Sequence, residues 1–188
     1  MSLMLSLGIQ AQTAQQILDK TAATMTGRGG VRANFIMSGA YGNTSGSIAV
    51  KGSKFNAVTP ASIVWYDGKT QWTYMKNTLE VNVSNPTAGQ QSLNPCKFIY
   101  LYKNGYTLSS KTVSGGWQVH LVAKNTSRSI KEMYVTVSKS YQLKQVKMRQ
   151  SNGWTTINVS NFCNASLSDS QFRFNSKDYP NAEVIDLR

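Results

Sequence analysis

Residues 13–26 place Ala14, Ile17, Leu18, Thr21, Ala22 and Met25 at helical spacing, so that all six fall on one face. Thr13 stands where an N-cap is needed, and Gly27 with Gly29-Gly30 stops the run. From Val31 the period changes to two. Val31, Ala33, Phe35 and Met37 alternate with Arg32, Asn34 and Ser38, with Ile36 intruding on the polar side. Gly39 and residues 42–46 read as a turn, and 47–51 and 55–59 as short strands.

Later segments can be tested for register. With Asp67-Gly68 at the centre of a two-residue turn, Ile63 faces Trp72 and Trp65 faces Thr70. With Lys76-Asn77 at the next turn, Trp72 faces Val81, Tyr74 faces Leu79 and Thr73 faces Glu80. Ile63, Trp65, Trp72, Tyr74, Leu79, Val81 and Val83 then share one face of a three-stranded meander, with Tyr66 on the exposed side. A slip of one residue would scatter them. Asn152-Gly153 as a turn sets Met148 against Ile157 and Val146 against Val159. A four-residue loop over 139–142 sets Val135 against Val146, Met133 against Met148 and Glu132 against Arg149, an opposite-charge pair. Trp117, Val119, Leu121 and Ala123 supply one more alternating strand, and Lys147 points outward.

Between the two meanders, Asn94-Pro95 reads as a helix start, with Phe98, Ile99, Leu101 and Tyr102 following and Asn104-Gly105 ending it. The pattern therefore predicts two helices and about ten strands. The economical assembly is mainly β: a single curved antiparallel sheet forming an unclosed β-barrel, with the helices as a lid across its concave side. Two short helices are little cover for so many large side chains, which points to a cavity rather than a solid core. Its expected lining is Phe35, Met37, Ile63, Trp65, Trp72, Tyr74, Leu79 and Val81 from the first strands, Phe98, Ile99 and Leu101 from the lid, and Trp117, Met133, Val135, Val146 and Met148 from the last strands.

Composition narrows the class. The 188 residues are 40% hydrophobic and 15% charged, with one domain over 13–188 the simplest division. Residues 1–12 read as the remnant of a secretory signal without its basic region, an apolar stretch followed by Gln10-Ala11-Gln12; a short apolar strand is the alternative. The net charge of +12 raises nucleic acid as a partner. Four of the eight acids, Asp169, Asp178, Glu183 and Asp186, lie in the last twenty residues, and the bases elsewhere stand singly rather than in a nucleic-acid motif. That spacing argues against nucleic acid and suits solubility and attraction to anionic membrane surfaces or acidic partners.

Catalytic chemistry has little to work with. His120 is the only histidine and alternates outward between Val119 and Leu121, so no Ser-His-Asp or Cys-His set can be assembled. No metal motif, phosphate loop or dinucleotide fingerprint occurs. The reading is a binding protein, with no catalytic residue, metal or cofactor. The two cysteines, Cys96 and Cys163, suggest a disulfide if the protein is exported; two separate buried thiols are the alternative.

The segment Tyr66-Asp67-Gly68-Lys69-Thr70-Gln71-Trp72-Thr73-Tyr74 is similar to the D-G-K-T-x-W-x-Y hairpin of the LolA carriers. Phe172-Arg173-Phe174, then Pro180 and Val184-Ile185-Asp186, resemble that family's ending, F-x-F followed by a Pro and V-x-D. The resemblance implies a monomeric periplasmic carrier. Such a carrier takes the acyl chains of lipoproteins from an inner-membrane ABC transporter (LolCDE-like) to an outer-membrane acceptor. It also implies an Arg that latches the lid, in an Arg-Pro pair after a Val-Lys strand. Here Gly52-Ser53-Lys54 follows Val50-Lys51, so use of the usual acceptor is left open, and Lys51 or Lys54 would have to substitute without the guanidinium fork. A lipid-binding periplasmic sensor or regulator, or a carrier of another lipid, would be compatible with the same fold.

Overall fold

The computed structural model describes residues 12–27, 29–40, 42–86 and 100–188. Among the described residues one α-helix, α1 (Ala14–Met25), precedes twelve strands: β1 (Val31–Gly39), β2 (Thr44–Lys51), β3 (Lys54–Val58), β4 (Ser62–Tyr66), β5 (Gln71–Met75), β6 (Glu80–Ser84), β7 (Tyr106–Val113), β8 (Gly116–Ala123), β9 (Glu132–Ser138), β10 (Leu143–Gln150), β11 (Gly153–Asn164) and β12 (Glu183–Asp186). They form one curved sheet in the order β12-β6-β5-β4-β3-β2-β1-β11-β10-β9-β8-β7, whose edges β12 and β7 do not meet. The sheet is mainly antiparallel and unclosed, as the alternation implies. The exception is β12, which lies parallel to β6 and pairs Val184 with Val81. Two meanders, β1–β6 and β7–β11, are joined by β1 against β11, with Phe35 opposite Val159 and Met37 opposite Ile157.

The helix forms where the sequence places it. Thr13 Oγ1 accepts from Gln16 N–H at 3.2 Å while Gln16 Oε1 accepts from Thr13 N–H at 3.0 Å, a reciprocal cap. Its six buried residues are the six read from the periodicity.

Three hairpins differ from their expected registers by a one-residue shift of the turn centre. Trp65 pairs with Trp72 and Ile63 with Tyr74, because Asp67 Oδ1 accepts from the N–H groups of both Lys69 and Thr70 and opens the turn to four residues. Trp72 pairs with Val83 and Tyr74 with Val81, because Leu79, at φ 60°, closes another four-residue turn instead of sitting in a strand. Val146 pairs with Ile157 and Met148 with Thr155, since Ser151-Asn152 form the turn. The pairs Val135–Val146, Met133–Met148 and Glu132–Arg149 stand as expected. Residue 46 belongs to β2, not to a turn. A Cβ there would lie 2.0 Å from the Val58 carbonyl oxygen and 3.1 Å from the Phe35 ring, so only glycine lets these strands and that ring come together.

Directly paired residues of neighbouring strands share a face, so the registers divide the sheet's side chains into two sets. Val31, Val50, Phe55 and Tyr66 are one such row, buried together on the face that carries α1, and Phe162 joins them to the cluster beneath the helix. Tyr66 is therefore buried, at 3% exposure, and not on the wet side. Its neighbour Trp65 must point the other way, and Ile63, Trp72, Tyr74, Val81 and Val83 go with it.

That second face is covered by the chain's own C-terminal segment. Trp65 meets Phe174 at 5.7 Å and Tyr179 at 5.5 Å between ring centroids, and Tyr179 lies 4.8 Å from Tyr74. Phe172, in a 3-10 turn at Asp169–Phe172, is fully buried. Charges fasten the segment. Lys51 and Lys54 Nζ lie 3.1 and 2.8 Å from Asp169, and Lys51 also donates to the Leu167 carbonyl at 2.7 Å. Arg173 donates to Asp67 Oδ2 through Nε at 3.1 Å and Nη2 at 3.0 Å. Lys51 and Lys54 thus tie down the C-terminal segment.

Both carboxyls are held below their ordinary values. Lys54, then Lys51, does this for Asp169. For Asp67, burial pushes upward but is outweighed by the Thr70 and Lys69 N–H groups and Arg173. A depressed carboxyl contributes stability above its unfolded value, near pH 4, and loses it as pH falls through the folded value. Acidification below about pH 4 is expected to loosen residues 167–179 before the sheet melts. Pepsin digestion followed by mass mapping would show cuts there first; simultaneous loss of segment and sheet would refute the ordering.

Candidate functional site

The apolar surface under α1 is built from the second meander. Val119 and Leu121 of β8, Met133, Val135 and Val137 of β9, and Leu143, Val146 and Met148 of β10 are buried together against Ala14, Ile17, Leu18 and Met25. Ile157 and Val159 extend it across β11, where registry aligns them with Met37 and Phe35 of β1. Between helix and sheet lies a cavity of about 20 Å³ lined by Leu18, Thr21, Ala22, Tyr102, Leu121, Met133, Val135 and Leu143. That is room for about one water molecule. As described, the cavity is too small for an acyl chain.

Polar contacts hold α1 on both flanks. Tyr102, in the 3-10 turn Leu101–Lys103, donates its hydroxyl to Asp19 of α1 at 2.5 Å. Burial, then Asp19, pushes that phenol well above its ordinary range, so it remains a donor. On the other flank Tyr141, left-handed at φ 61° in the β9–β10 turn, receives Lys20 Nζ at 3.1 Å and Gln12 Nε2 at 2.8 Å on its hydroxyl, while Thr24 donates to its carbonyl at 3.1 Å. Its ring stacks on Trp117 with 5.1 Å between centroids. Lys20, then Gln12, holds the Tyr141 phenol below its ordinary range.

The sequence-predicted lining is therefore divided. Leu101, Trp117, Met133, Val135, Val146 and Met148 belong to the surface under α1, and Phe35 and Met37 continue it. Ile63, Trp65, Trp72, Tyr74 and Val81 lie on the opposite face, and Leu79 sits in a turn at 43% exposure. One continuous surface does not contain both sets. Phe98 and Ile99, and with them most of the expected second helix, lie outside the described residues. So does Cys96. Cys163 is exposed on β11 opposite Arg32, and its pairing with Cys96 stays a proposal.

Leu121, Leu143, Tyr102 and Tyr141 were absent from the expected site. Leu121 carried a signal, since it alternates with Trp117; Leu143 did not, because a bulge between Leu143 and Gln145 re-aims it. Tyr141 escaped because nothing in its local pattern marks a contact 121 residues away in sequence. His120 lies on the outward face, 2.8 Å from Glu132 and stacked on Tyr134 at 4.3 Å. Glu132 also meets Arg149 at 3.4 Å, completing the cross-strand ion pair. Among the described residues no three metal-ligating side chains come together.

The family profile described as outer membrane lipoprotein carrier protein LolA matches residues 5–152. No curated protein matches in sequence. An uncharacterized conserved protein from Thermus thermophilus has a similar structure, with a TM-score of 0.63, 14% identity, and 93% of this chain and 99% of that one covered. A LolA superfamily protein from Nitrosomonas europaea gives a TM-score of 0.47 at 12% identity, covering 87% and 99%. The lipoprotein LppX from Mycobacterium tuberculosis gives 0.43 at 9% identity, covering 81% and 95%.

Proposed function

Because the chain belongs to the family of the outer membrane lipoprotein carrier protein LolA, we propose that it carries acyl chains of lipoproteins, or of lipids built like them, between the two membranes of an envelope. The observation that carries this reading is the apolar surface of β8–β11, covered among the described residues by amphipathic α1 with a small cavity between them. An acyl chain offers about 0.8 kcal/mol for each methylene removed from water. A dozen methylenes therefore supply about 10 kcal/mol to lift α1 and replace its contacts with those of the ligand. Methionines at 133 and 148 suit chains of variable shape. The work is binding and release, with no bond made or broken, in the periplasm behind a cleaved signal.

An inner-membrane ABC transporter of the LolCDE type is the proposed donor, and acylated protein the proposed cargo. Residues 100–164 hold nine Lys and Arg against one acid, Glu132, which favours approach to anionic membranes where such cargo is collected.

Native mass spectrometry with a palmitoylated peptide is expected to give a one-to-one complex, and hydrogen exchange in α1 to change on binding. Trp72→Ala should leave the affinity within about twofold, because Trp72 faces away from α1. Absence of any complex would reject the carrier reading. Binding of phospholipid but not of acylated peptide would instead assign another lipid as cargo.

A further inference from the structure

Among the described residues, two buried side-chain atoms have no hydrogen-bond partner: Gln150 Oε1 and Thr155 Oγ1. Gln150 is 8% exposed and Thr155 1%. They are neighbours. Gln150 pairs with Gly153 and Met148 with Thr155, so both side chains occupy the α1 face of the β10–β11 hairpin as diagonal partners, about 7 Å apart at Cα. Elsewhere on this face polar groups are matched. Thr21 donates to the Ile17 carbonyl, Tyr106 to the Ile130 carbonyl and Tyr102 to Asp19.

The pair is also continuous with the acyl surface. Leu121 pairs with Met133, Met133 with Met148, and Met148 with Thr155, so one row of side chains runs from the cavity under α1 to the unpartnered hydroxyl. A hydroxyl that can donate and an amide oxygen that accepts stand at the end of an apolar track. Buried polar groups are rarely left unpaired unless a ligand, ion or water completes them.

We propose that Gln150 and Thr155 form a polar subsite for the head of an acyl ligand in which an O–H or N–H lies beside a carbonyl. The ligand's O–H or N–H donates to Gln150 Oε1, and the Thr155 hydroxyl donates to the ligand's carbonyl. A monoacylglycerol and an N-acylated peptide both offer this chemistry; a methyl ester offers only the acceptor, and an alkane neither. The subsite rests on the acyl-carrier reading and selects among the ligands that reading admits.

The test compares the affinity of the full chain for monopalmitin, a palmitoylated peptide, methyl palmitate and hexadecane, by displacement of a fluorescent acyl probe. The first two are expected to bind more tightly than methyl palmitate. The shape-conserving double variant Thr155→Val, Gln150→Leu should lose about tenfold for the ligands that carry a donor, the worth of two net hydrogen bonds, lose about threefold for methyl palmitate, the worth of one, and keep its affinity for hexadecane. A tenfold loss for only one of monopalmitin and the peptide would name the natural head group. The variant should melt no lower than the parent, since two unpaired polar groups have been removed. Lower stability with unchanged ligand preference would mean that the pair holds a structural water, and would overturn the subsite. Equal binding of all four probes to the parent would overturn it with no variant needed, and would leave the carrier reading intact. Failure of every probe to bind would remove both.

Discussion

Phe172→Ala should lower the free energy of unfolding by about 3–5 kcal/mol, as expected for a fully buried phenylalanine whose cavity cannot collapse. Phe172 has no exposed surface. Its turn lies on β3 and β4, on the face turned away from α1, with Trp65, Phe174 and Tyr179 close by. Val81 and Val83, at 0% and 3% exposure, are on that face too. The segment it anchors leads into β12, which closes on β6 through the Glu183 N–H to Leu79 carbonyl bond at 2.9 Å and the Leu187 N–H to Val83 carbonyl bond at 2.8 Å. Amides of β12 and β6 should therefore exchange faster in the variant, ahead of those in β9 and β10. Leu187→Ala is the control; at 63% exposure it should change stability by no more than about 0.5 kcal/mol. A loss below about 1 kcal/mol for Phe172→Ala would show that the segment adds nothing to the core.

Tyr102→Phe should open α1. The variant keeps the ring and removes only the hydroxyl that reaches Asp19 at 2.5 Å. A hydrogen bond to a carboxylate contributes about 1.5–3 kcal/mol, and the low end applies because Asp19 is exposed and regains water. At about 1.5 kcal/mol, hydrogen exchange in α1 should quicken about tenfold, while the central strands β9 and β10 keep their rates. Affinity for acyl ligands should rise by a similar factor, since less is spent on lifting the helix. The raised phenol value fixes the pH response of the wild type: the clasp is fully present below the ordinary tyrosine value near pH 10 and is lost as pH rises through the higher folded value. Unchanged exchange in α1 would mean that its apolar contacts and the Tyr141 flank hold the helix without the Tyr102 clasp.

Much of this was legible in the chain. Alternation gave the faces of β4, β5, β9 and β10 correctly as sets, and it paired Val135 with Val146 and Glu132 with Arg149. The register slips at Asp67, Leu79 and Ser151 were invisible because each moves a partner by two residues, which preserves alternation. Only turn chemistry decides them. Which face of β4–β6 meets the helix was not legible either. Parity is handed across the sheet from β1 through Val31, Val50 and Phe55 to Tyr66, and a single strand's pattern says that it has an apolar side, not where that side looks. Tyr66 reads as wet in the sequence because its neighbours Trp65 and Ile63 are the more conspicuous apolar residues. The subsite at Gln150 and Thr155 left no trace, since two polar residues beside a turn look like loop.

The pairing of β1 with β11 and the late return of the C-terminal segment set a schedule for synthesis. The strands β2–β6 are finished about 90 residues before Phe172 is made, and their hairpins can close locally. Their Trp65, Trp72 and Tyr74 side chains still have no cover until Phe172, Phe174 and Tyr179 emerge. At translation rates of about 5–20 residues per second, that face stays bare for roughly 5–20 s. Nor can the two meanders join before β11 begins to emerge and pair with β1. The nascent chain thus presents a wide aromatic surface and an open strand edge for seconds, the features that chaperones bind and that aggregation exploits. Cover for this face waits for residues 172–179.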